Sequence, residues 1–188
     1  DKIQLIGISA HQQAEKLFAI AKEFQVPLAC LTNSPKDQVT PPPHTQLHTG
    51  QNSLEELAAL DEADIIVVAI VGAAGLLPTL SALRAGKDVV LANKESLVVG
   101  GEIVIETAKK YGARIIPADS EHNAVFQCIQ GQEHKTIQSI ILTASGGPFR
   151  ELPLEQLANV TIEQALDHPN WSMGKKITVD SATMANKG

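Results

Sequence analysis

The sequence predicts an α/β fold in which βα units surround a largely parallel sheet, followed by a second domain. Short runs rich in Val and Ile alternate with amphipathic stretches of helix length, which is typical of βα units. Runs such as Ile65–Ile70 are apolar at every position, as in strands covered on both faces of a doubly wound sheet. After about residue 118 this alternation changes to segments rich in Gly, Ser and His. A domain boundary is therefore predicted there.

The individual elements follow from these runs in chain order. Strands are predicted over the short apolar runs Ile3–Ile8, Val26–Leu31, Ile65–Ile70, Asp88–Leu91, Arg114–Pro117 and Ile137–Thr143. Helices are predicted over the amphipathic stretches Gln12–Glu23, Leu54–Leu60, Leu76–Ala85, Glu102–Tyr111 and Glu121–Gln130. Gly86 and Gly112 follow helix ends, where a left-handed residue is favoured. The segment Thr32–Thr49, with its Pro-rich stretch, is predicted to be a surface connection of limited order.

Composition excludes several classes of protein. The chain has 188 residues, of which 44% are hydrophobic and 19% charged, which is typical of a soluble globular protein. The net charge of −6 has the wrong sign for binding nucleic acid, and aromatic residues, at 3%, are too few for base stacking. No apolar run reaches the roughly 18 residues of a membrane helix. Cys30 and Cys128 lack metal-ligand spacing and are expected to be buried.

Small polar residues follow the first predicted strand, where dinucleotide-binding folds contact the ribose. Ser9, Ala10 and His11 occupy this place. The sequence has no GxGxxG loop, and Val71–Gly75 offers two glycines for the close approach of a ligand. A plain strand-to-helix turn explains both segments about equally well.

A charged segment follows the strand Asp88–Leu91. Asn93, Lys94 and Glu95 lie just past its carboxyl end, where α/β proteins place ligands. Such a cluster is also usual in a solvated turn, so a turn without function remains an alternative.

An acidic segment follows the strand predicted over 114–117. Asp119 and Glu121 flank Ser120 and offer two oxygen ligands within one short loop, as Mg²⁺ or Mn²⁺ prefers. The same residues suit a helix N-terminus, where Asp and Ser cap and Glu interacts favourably with the dipole. From the residues alone, the helix cap is slightly favoured over the metal site.

The last segments combine glycines with polar side chains. Ser145 stands before Gly146 and Gly147, whose backbone N–H groups suit a phosphate, although a simple Gly-Gly-Pro turn is the alternative. The segment 168–176 holds the single Trp between Pro and Gly residues, as in a movable cover over a ligand. A Trp that fills a domain edge is the alternative there.

Five segments, taken together and in this order, strongly resemble the 1-deoxy-D-xylulose 5-phosphate reductoisomerase family: LANKESLV, ADSEHNA, TASGGPFRE, HPNWSMGKKITVDSATM and NKG. The resemblance spans essentially the whole chain, although Thr32–Ser53 matches only in length. It implies a Rossmann-like NADPH-binding domain over residues 1–118 and the beginning of an α+β catalytic domain over residues 119–188. It further implies an enzyme that, with Mg²⁺, Mn²⁺ or Co²⁺, converts 1-deoxy-D-xylulose 5-phosphate to 2-C-methyl-D-erythritol 4-phosphate in non-mevalonate isoprenoid biosynthesis.

The resemblance also assigns roles to individual residues. It implies that Asp119 and Glu121 are metal ligands and that Lys94 and His168 join them in catalysis. Substrate contacts are implied for Ser120, Ser145, His168, Trp171, Ser181, Asn186 and Lys187. Cofactor contacts are implied for Ser9, Ala10, Gly72, Asn93, Lys94, Glu95 and Gly174. Met173 is implied to lie with His168 and Trp171 in a flexible loop that closes over the substrate.

The family pattern is longer than this chain. It begins with another βα unit that carries a glycine-rich pyrophosphate loop, and it adds a metal-binding Glu after the NKG motif. The chain is therefore interpreted as an internal fragment with little activity alone. A homodimer is expected for the full-length enzyme, in the cytoplasm or, for a plant or alga, in a plastid. A non-catalytic nucleotide-binding module and a semialdehyde- or homoserine-type dehydrogenase remain the alternatives.

Overall fold

A computed structural model describes residues 3–33, 39–50, 52–170 and 172–185. The chain divides into two compact units, residues 1–119 and 120–188. In the described part of the first unit, the strands are β1 (Gly7–Ala10), β2 (Leu28–Leu31), β3 (Gln46–Thr49), β4 (Ile65–Val68), β5 (Asp88–Leu91) and β6 (Ile115–Pro117). The helices between them are α1 (Ala14–Glu23), α2 (Ser53–Ala58), α3 (Leu76–Arg84) and α4 (Glu95–Tyr111), with a 3₁₀ turn at Gly72–Gly75.

The described strands form two three-stranded sheets, ordered β1-β2-β3 and β4-β5-β6, and all pairs are parallel. The predicted α/β class with parallel strands is therefore confirmed. Parallel pairing places the carboxyl ends of neighbouring strands side by side. Val68 pairs with Leu91, and Leu91 pairs with Pro117, so the segments after β4, β5 and β6 leave the sheet at one edge.

Each sheet has its own cluster of buried residues. Around the first sheet, the buried residues are Ala14, Leu17, Phe18, Ala29 and Leu31. Around the second sheet, they are Ala58, Val68, Leu80, Ala82, Leu83, Val89, Leu91, Val104 and Ala108. One face of β4 stays open, since Ile65 is 55% and Val67 is 65% exposed. The core is aliphatic, with a single Phe in these two clusters, as the low aromatic content requires.

The structure corrects three predictions in the first unit. The first strand is Gly7–Ala10 rather than Ile3–Ile8, so Ser9 and Ala10 lie in the strand and not after it. Residues 46–49 form β3 and pair with β2, whereas the sequence predicted a connection there. The strand forms because pairing with β2 supplies its ladder of hydrogen bonds. Its polar residues give no strand signal in the sequence. Helix α4 begins at Glu95 rather than Glu102 and runs through a kink at Gly100. A Cβ on Gly100 would lie 3.0 Å from Leu76 Cδ1, so the glycine permits α3 and α4 to pack closely.

The described part of the second unit is made of short helices and extended segments. It contains α5 (Ser120–Ile129), α6 (Ile162–Ala165) and α7 (Lys175–Thr183), with 3₁₀ turns at His134–Thr136 and Leu154–Asn159. The strand predicted over Ile137–Thr143 is wrong. These residues form no strand, and no described segment pairs with them. An apolar run favours a strand, but only a neighbouring ladder makes one. Ile140 and Ile141 are accordingly 59% and 83% exposed.

Gly86 and Gly112 both have positive φ at helix ends, as predicted. The expectation for the cysteines is half right: Cys30 is fully buried, whereas Cys128 is exposed on α5, a helix with no buried residue. Burial raises the pKa of the Cys30 thiol, which donates a hydrogen bond to Ser53 Oγ at 3.0 Å. No helix within the described ranges has the length and apolar character needed to cross a membrane.

Candidate functional site

The carboxyl end of β1 opens into a cavity of about 400 Å³. Its lining consists of Ser9, Ala10, His11, Gln12, Gln13, Lys16, Leu17 and Ile20. His11 Nδ1 lies 2.7 Å from Thr32 Oγ1, and Thr32 N–H donates to the Ala10 carbonyl at 3.2 Å. These hydrogen bonds connect the carboxyl ends of β1 and β2. The hydroxyl, amide and ammonium groups that line this cavity can donate hydrogen bonds, so they suit a polar ligand with a phosphate. Lys16 and Thr32 were missed by the sequence reasoning, since one lies on α1 and the other follows β2.

The two glycines of the turn after β4 serve different purposes. Gly72 has φ of +75°, a conformation that favours glycine, and a Cβ there would meet no atom within 4 Å. Gly75 is buried, and a Cβ there would lie 2.6 Å from Asn93 Cγ. Gly72 therefore faces open space, whereas Gly75 leaves room for the Asn93 side chain.

Asn93 joins the ends of β4 and β5. It is 1% exposed, and its amide nitrogen donates to the Ile70 carbonyl, to the Gly72 carbonyl at 2.8 Å and to Glu95 Oε2 at 3.2 Å. Its amide oxygen accepts from the Ser96 backbone N–H at 2.9 Å and from the Ser96 hydroxyl. The side chain implied to contact cofactor therefore holds the turn after β4 in place. Ser96 was missed, because its contact is with a residue just before the helix and no sequence signature marks it.

Lys94 and Asp119 form an ion pair at the same edge of the sheet. Lys94 Nζ lies 2.5 Å from Asp119 Oδ2, and the two side chains are 23% and 15% exposed. The pair forms because Ala92 N–H donates to the Val68 carbonyl and Ala118 N–H to the Leu91 carbonyl, which extends the ladders past β5 and β6. Residues 25 positions apart are thereby brought together.

The other half of the acidic segment begins the second unit. Ser120 is the first residue of α5, and Glu121 lies in its first turn, so the helix that the cap interpretation requires is present. Within the described ranges, no group of three or more His, Cys, Asp or Glu side chains is placed to hold a metal ion. A metal ligand set built on Asp119 and Glu121 therefore needs further ligands from substrate, water or other residues.

In the second unit, three of the predicted substrate residues meet. Ser145 Oγ lies 2.8 Å from Ser181 Oγ and 3.3 Å from His168 Nε2. His168 is 8% and Ser181 5% exposed, so this cluster, the Ser145 cluster, is largely enclosed. His168 Nδ1 accepts from the Asn170 backbone N–H at 3.2 Å, which holds the ring. Two hydroxyls and an imidazole suit the oxygens of a phosphate.

Gly147 lets the Ser145 segment approach α7. It is buried with φ of +63°, and a Cβ there would lie 2.6 Å from the Ser181 carbonyl oxygen. The glycine is therefore required for backbone contact, a role that the simple turn interpretation did not include.

The predicted cover over residues 168–176 is only partly described, because Trp171 lies outside the described residues. Asn186 and Lys187, which were predicted to contact substrate, also lie outside them. Gly174 precedes α7 and its carbonyl accepts from the Thr178 hydroxyl at 3.1 Å, so residues 175 and 176 belong to a helix rather than to the cover. Met173 is 41% exposed, whereas His168 at the other end is buried.

The first unit is of the α/β class with parallel sheets, and Asn93, Lys94 and Asp119 follow the carboxyl ends of its strands. Two family models match the chain. One, described as 1-deoxy-D-xylulose 5-phosphate reductoisomerase, covers residues 1–101, and the other, the C-terminal domain of the same enzyme, covers residues 115–188. The chain belongs to the 1-deoxy-D-xylulose 5-phosphate reductoisomerase family.

Individual relatives agree with this assignment. The chain is 47% identical, over its whole length, to 1-deoxy-D-xylulose 5-phosphate reductoisomerase of Clostridium acetobutylicum, and 48% identical to that of a Geobacillus species. A crystal structure of DOX-P reductoisomerase with NADPH, fosmidomycin and magnesium matches 99% of the chain with a TM-score of 0.84 and 41% identity. The Zymomonas mobilis enzyme with NADPH matches all of the chain with a TM-score of 0.82 and 38% identity.

The chain spans about half the length of these relatives: 50% of the two curated proteins and 49% of each of the two structures. The matches do not favour either alternative, the non-catalytic nucleotide-binding module or the dehydrogenase of semialdehyde or homoserine type.

Proposed function

We propose an activity for a protein that contains this chain and is as long as its relatives, called the full-length protein below. It is an NADPH- and divalent-metal-dependent reductoisomerase. It converts 1-deoxy-D-xylulose 5-phosphate to 2-C-methyl-D-erythritol 4-phosphate in non-mevalonate isoprenoid biosynthesis. The observation that carries the proposal is that family similarity extends over both units and includes the ion-paired Lys94 and Asp119 at the sheet edge.

The first unit supplies the NADPH site in this proposal. Its support is the cavity after β1, whose volume of about 400 Å³ lies within the usual range of ligand pockets. Ser9 and Ala10 contact the adenosine ribose, and the open turn at Gly72 approaches the nicotinamide half. Asn93, Lys94 and Glu95 are the other proposed cofactor contacts of this unit, with Asn93 acting through the turn that it holds. Gly174, which belongs to the second unit, is the last proposed cofactor contact.

Asp119 and Glu121 are the proposed metal ligands. The donor set fits, because carboxylate oxygens are the ligands that Mg²⁺ and Mn²⁺ prefer, and the Asp119 carboxylate already faces a cationic group. Co²⁺ is a further candidate. When bound, the metal supplies Lewis acidity toward the carbonyl and hydroxyl oxygens of the substrate, and NADPH supplies the hydride.

The second unit orients the substrate. The phosphate is held by the Ser145 cluster together with Asn186 and Lys187, and Ser120 contacts the part of the substrate near the carboxylates. Because the phosphate lies away from the reacting carbons, its binding fixes orientation without changing the chemistry. Trp171 covers the bound substrate and excludes water from it.

The proposed assembly is a homodimer, and the proposed location is the cytoplasm, in line with bacterial relatives. Light scattering of the full-length protein after size exclusion tests the first of these. A monomer at micromolar concentration would contradict the dimer.

The central test replaces one metal ligand in the full-length protein. Asp119→Asn keeps the size of the side chain but removes its charge, so turnover should be abolished while NADPH affinity stays largely intact. Asp61→Asn is the matched control, because Asp61 is exposed on the surface of the same unit. Wild-type turnover that remains sensitive to chelator in Asp119→Asn would contradict the proposed role.

A further inference from the structure

Lys94 occupies one of the two carboxylate oxygens of Asp119, and so one of the positions at which a metal ion can bind. Its ammonium nitrogen lies 2.5 Å from Asp119 Oδ2, and both side chains are mostly shielded from solvent. Ladder hydrogen bonds past β5 and β6 fix both backbones, so the pairing does not depend on chance contact of two surface side chains. A shielded pair of this kind is retained more firmly than an exposed one.

A divalent ion that binds Asp119 Oδ2 competes with this ammonium for the same oxygen. Mg²⁺ binds carboxylate oxygen at about 2.0–2.1 Å, closer than the ammonium, and it carries twice the charge. Two cations at the same shielded carboxylate oxygen repel each other strongly. Metal at Asp119 Oδ2 therefore favours movement of the Lys94 ammonium away from that oxygen.

We propose that Lys94 is a positioning residue whose ammonium holds Asp119 in the metal-free protein and is exchanged for the divalent ion on binding. The proposal rests on the function proposed above, in which Asp119 is a metal ligand. The exchange keeps the carboxylate oriented before metal arrives. It also makes a cationic side chain at the N-terminus of α4 available to an anionic ligand only after the metal has bound.

The exchange has a measurable consequence, because removing a competitor strengthens metal binding. In the full-length protein without substrate or cofactor, Lys94→Met should bind Mn²⁺ about 5-fold or more tightly than the wild type, as measured by electron paramagnetic resonance. Lys94→Gln serves as a second neutral variant if the first is unstable. Lys94→Arg keeps the charge and should restore the weaker, wild-type affinity.

Lys87→Met is the matched control. Lys87 lies in the same unit and its ammonium donates to the Asp61 carbonyl at 2.9 Å, away from Asp119, so its loss should leave Mn²⁺ affinity unchanged. A merely structural Lys94 would give unchanged or weaker Mn²⁺ binding in both neutral variants, and this result would overturn the exchange.

Asp119→Asn separates the two proposals. If it loses Mn²⁺ binding while the neutral Lys94 variants gain none, the metal site stands and the exchange is wrong. If Asp119→Asn binds Mn²⁺ like the wild type, the metal ligand itself is wrong, and the exchange falls with it. A crystal structure with Mn²⁺ at Asp119 and Lys94 Nζ still within 4 Å of that carboxylate would also overturn the exchange.

Discussion

Ser145 Oγ lies 2.8 Å from Ser181 Oγ, although the two residues are 36 positions apart in the chain. His168 Nε2 approaches the same Ser145 hydroxyl from another side, at 3.3 Å. The orientation of the Ser145 hydroxyl is therefore controlled by an imidazole and by a second hydroxyl on α7. Mutations on α7 are expected to affect whatever Ser145 binds.

Ser181→Ala in the full-length protein should raise the KM for the phosphorylated substrate much more than the KM for NADPH. The change removes one hydrogen bond to a charged group, worth about 1.5–3 kcal/mol, or roughly 10- to 100-fold. Steady-state kinetics with each substrate varied in turn measures both constants. Ser139→Ala is the control, because Ser139 is exposed. Equal effects on the two KM values would contradict a phosphate site.

Gly147→Ala should destabilise the second unit more than Gly131→Ala does. Both glycines have positive φ, so each substitution carries a left-handed strain of about 1–2 kcal/mol. Only at Gly147 would the new Cβ also meet the Ser181 carbonyl oxygen, at 2.6 Å, whereas nothing lies within 4 Å at Gly131. Overpacking adds about 1–3 kcal/mol. Urea unfolding of the two variants measures the difference, and equal midpoints would show that α7 moves away without cost.

Asn93→Ala should lower the free energy of unfolding of the first unit by about 2–4 kcal/mol. Its side chain is buried, and truncation leaves the carbonyls of Ile70 and Gly72 without their donor. Asn159→Ala is the matched control, since Asn159 is exposed. Urea unfolding followed by circular dichroism measures both variants. If Asn93→Ala is as stable as the control, the turn after β4 does not depend on this amide.

The sequence predicted the strands well where the apolar run is itself the strand. Asp88–Leu91 was predicted without error, because Val89 and Leu91 are buried and the run ends where the polar site begins. Gln46–Thr49 was missed, since three of its four residues are polar and its stability comes from a ladder with residues 18 positions earlier. Ile137–Thr143 failed in the opposite way, because apolar character alone does not supply a neighbouring strand.

The sequence predicted which residues lie at the candidate site, but it did not predict the contacts between them. Spacing placed Asn93, Lys94 and Asp119 after strands, where ligands bind. It did not indicate that the Asn93 amide is used to hold the turn after β4, or that Lys94 pairs with Asp119. These contacts depend on the pairing of β4, β5 and β6, which is long-range and has no signature in a local pattern.

Asp88 should contribute to the free energy of unfolding of the first unit at neutral pH but not in acid. Its carboxylate accepts hydrogen bonds from the Arg114 backbone N–H and from Arg114 Nε, both at 2.9 Å, and joins the starts of β5 and β6. The hydrogen bonds from the Arg114 side chain and backbone hold the pKa of Asp88 below its ordinary value.

A folded-state pKa below the unfolded one means that the unfolded chain binds the proton more readily. The contribution of Asp88 is therefore complete above the ordinary aspartate pKa and is lost as the pH falls through the lower value of the folded protein. Asp88→Asn should remove this part of the pH dependence, so that urea midpoints measured from neutral to acidic pH converge on those of the wild type in acid. Glu133→Gln is the control, because it removes an exposed ion pair with Lys135. A constant difference between Asp88→Asn and the wild type at every pH would assign the effect to packing instead of charge.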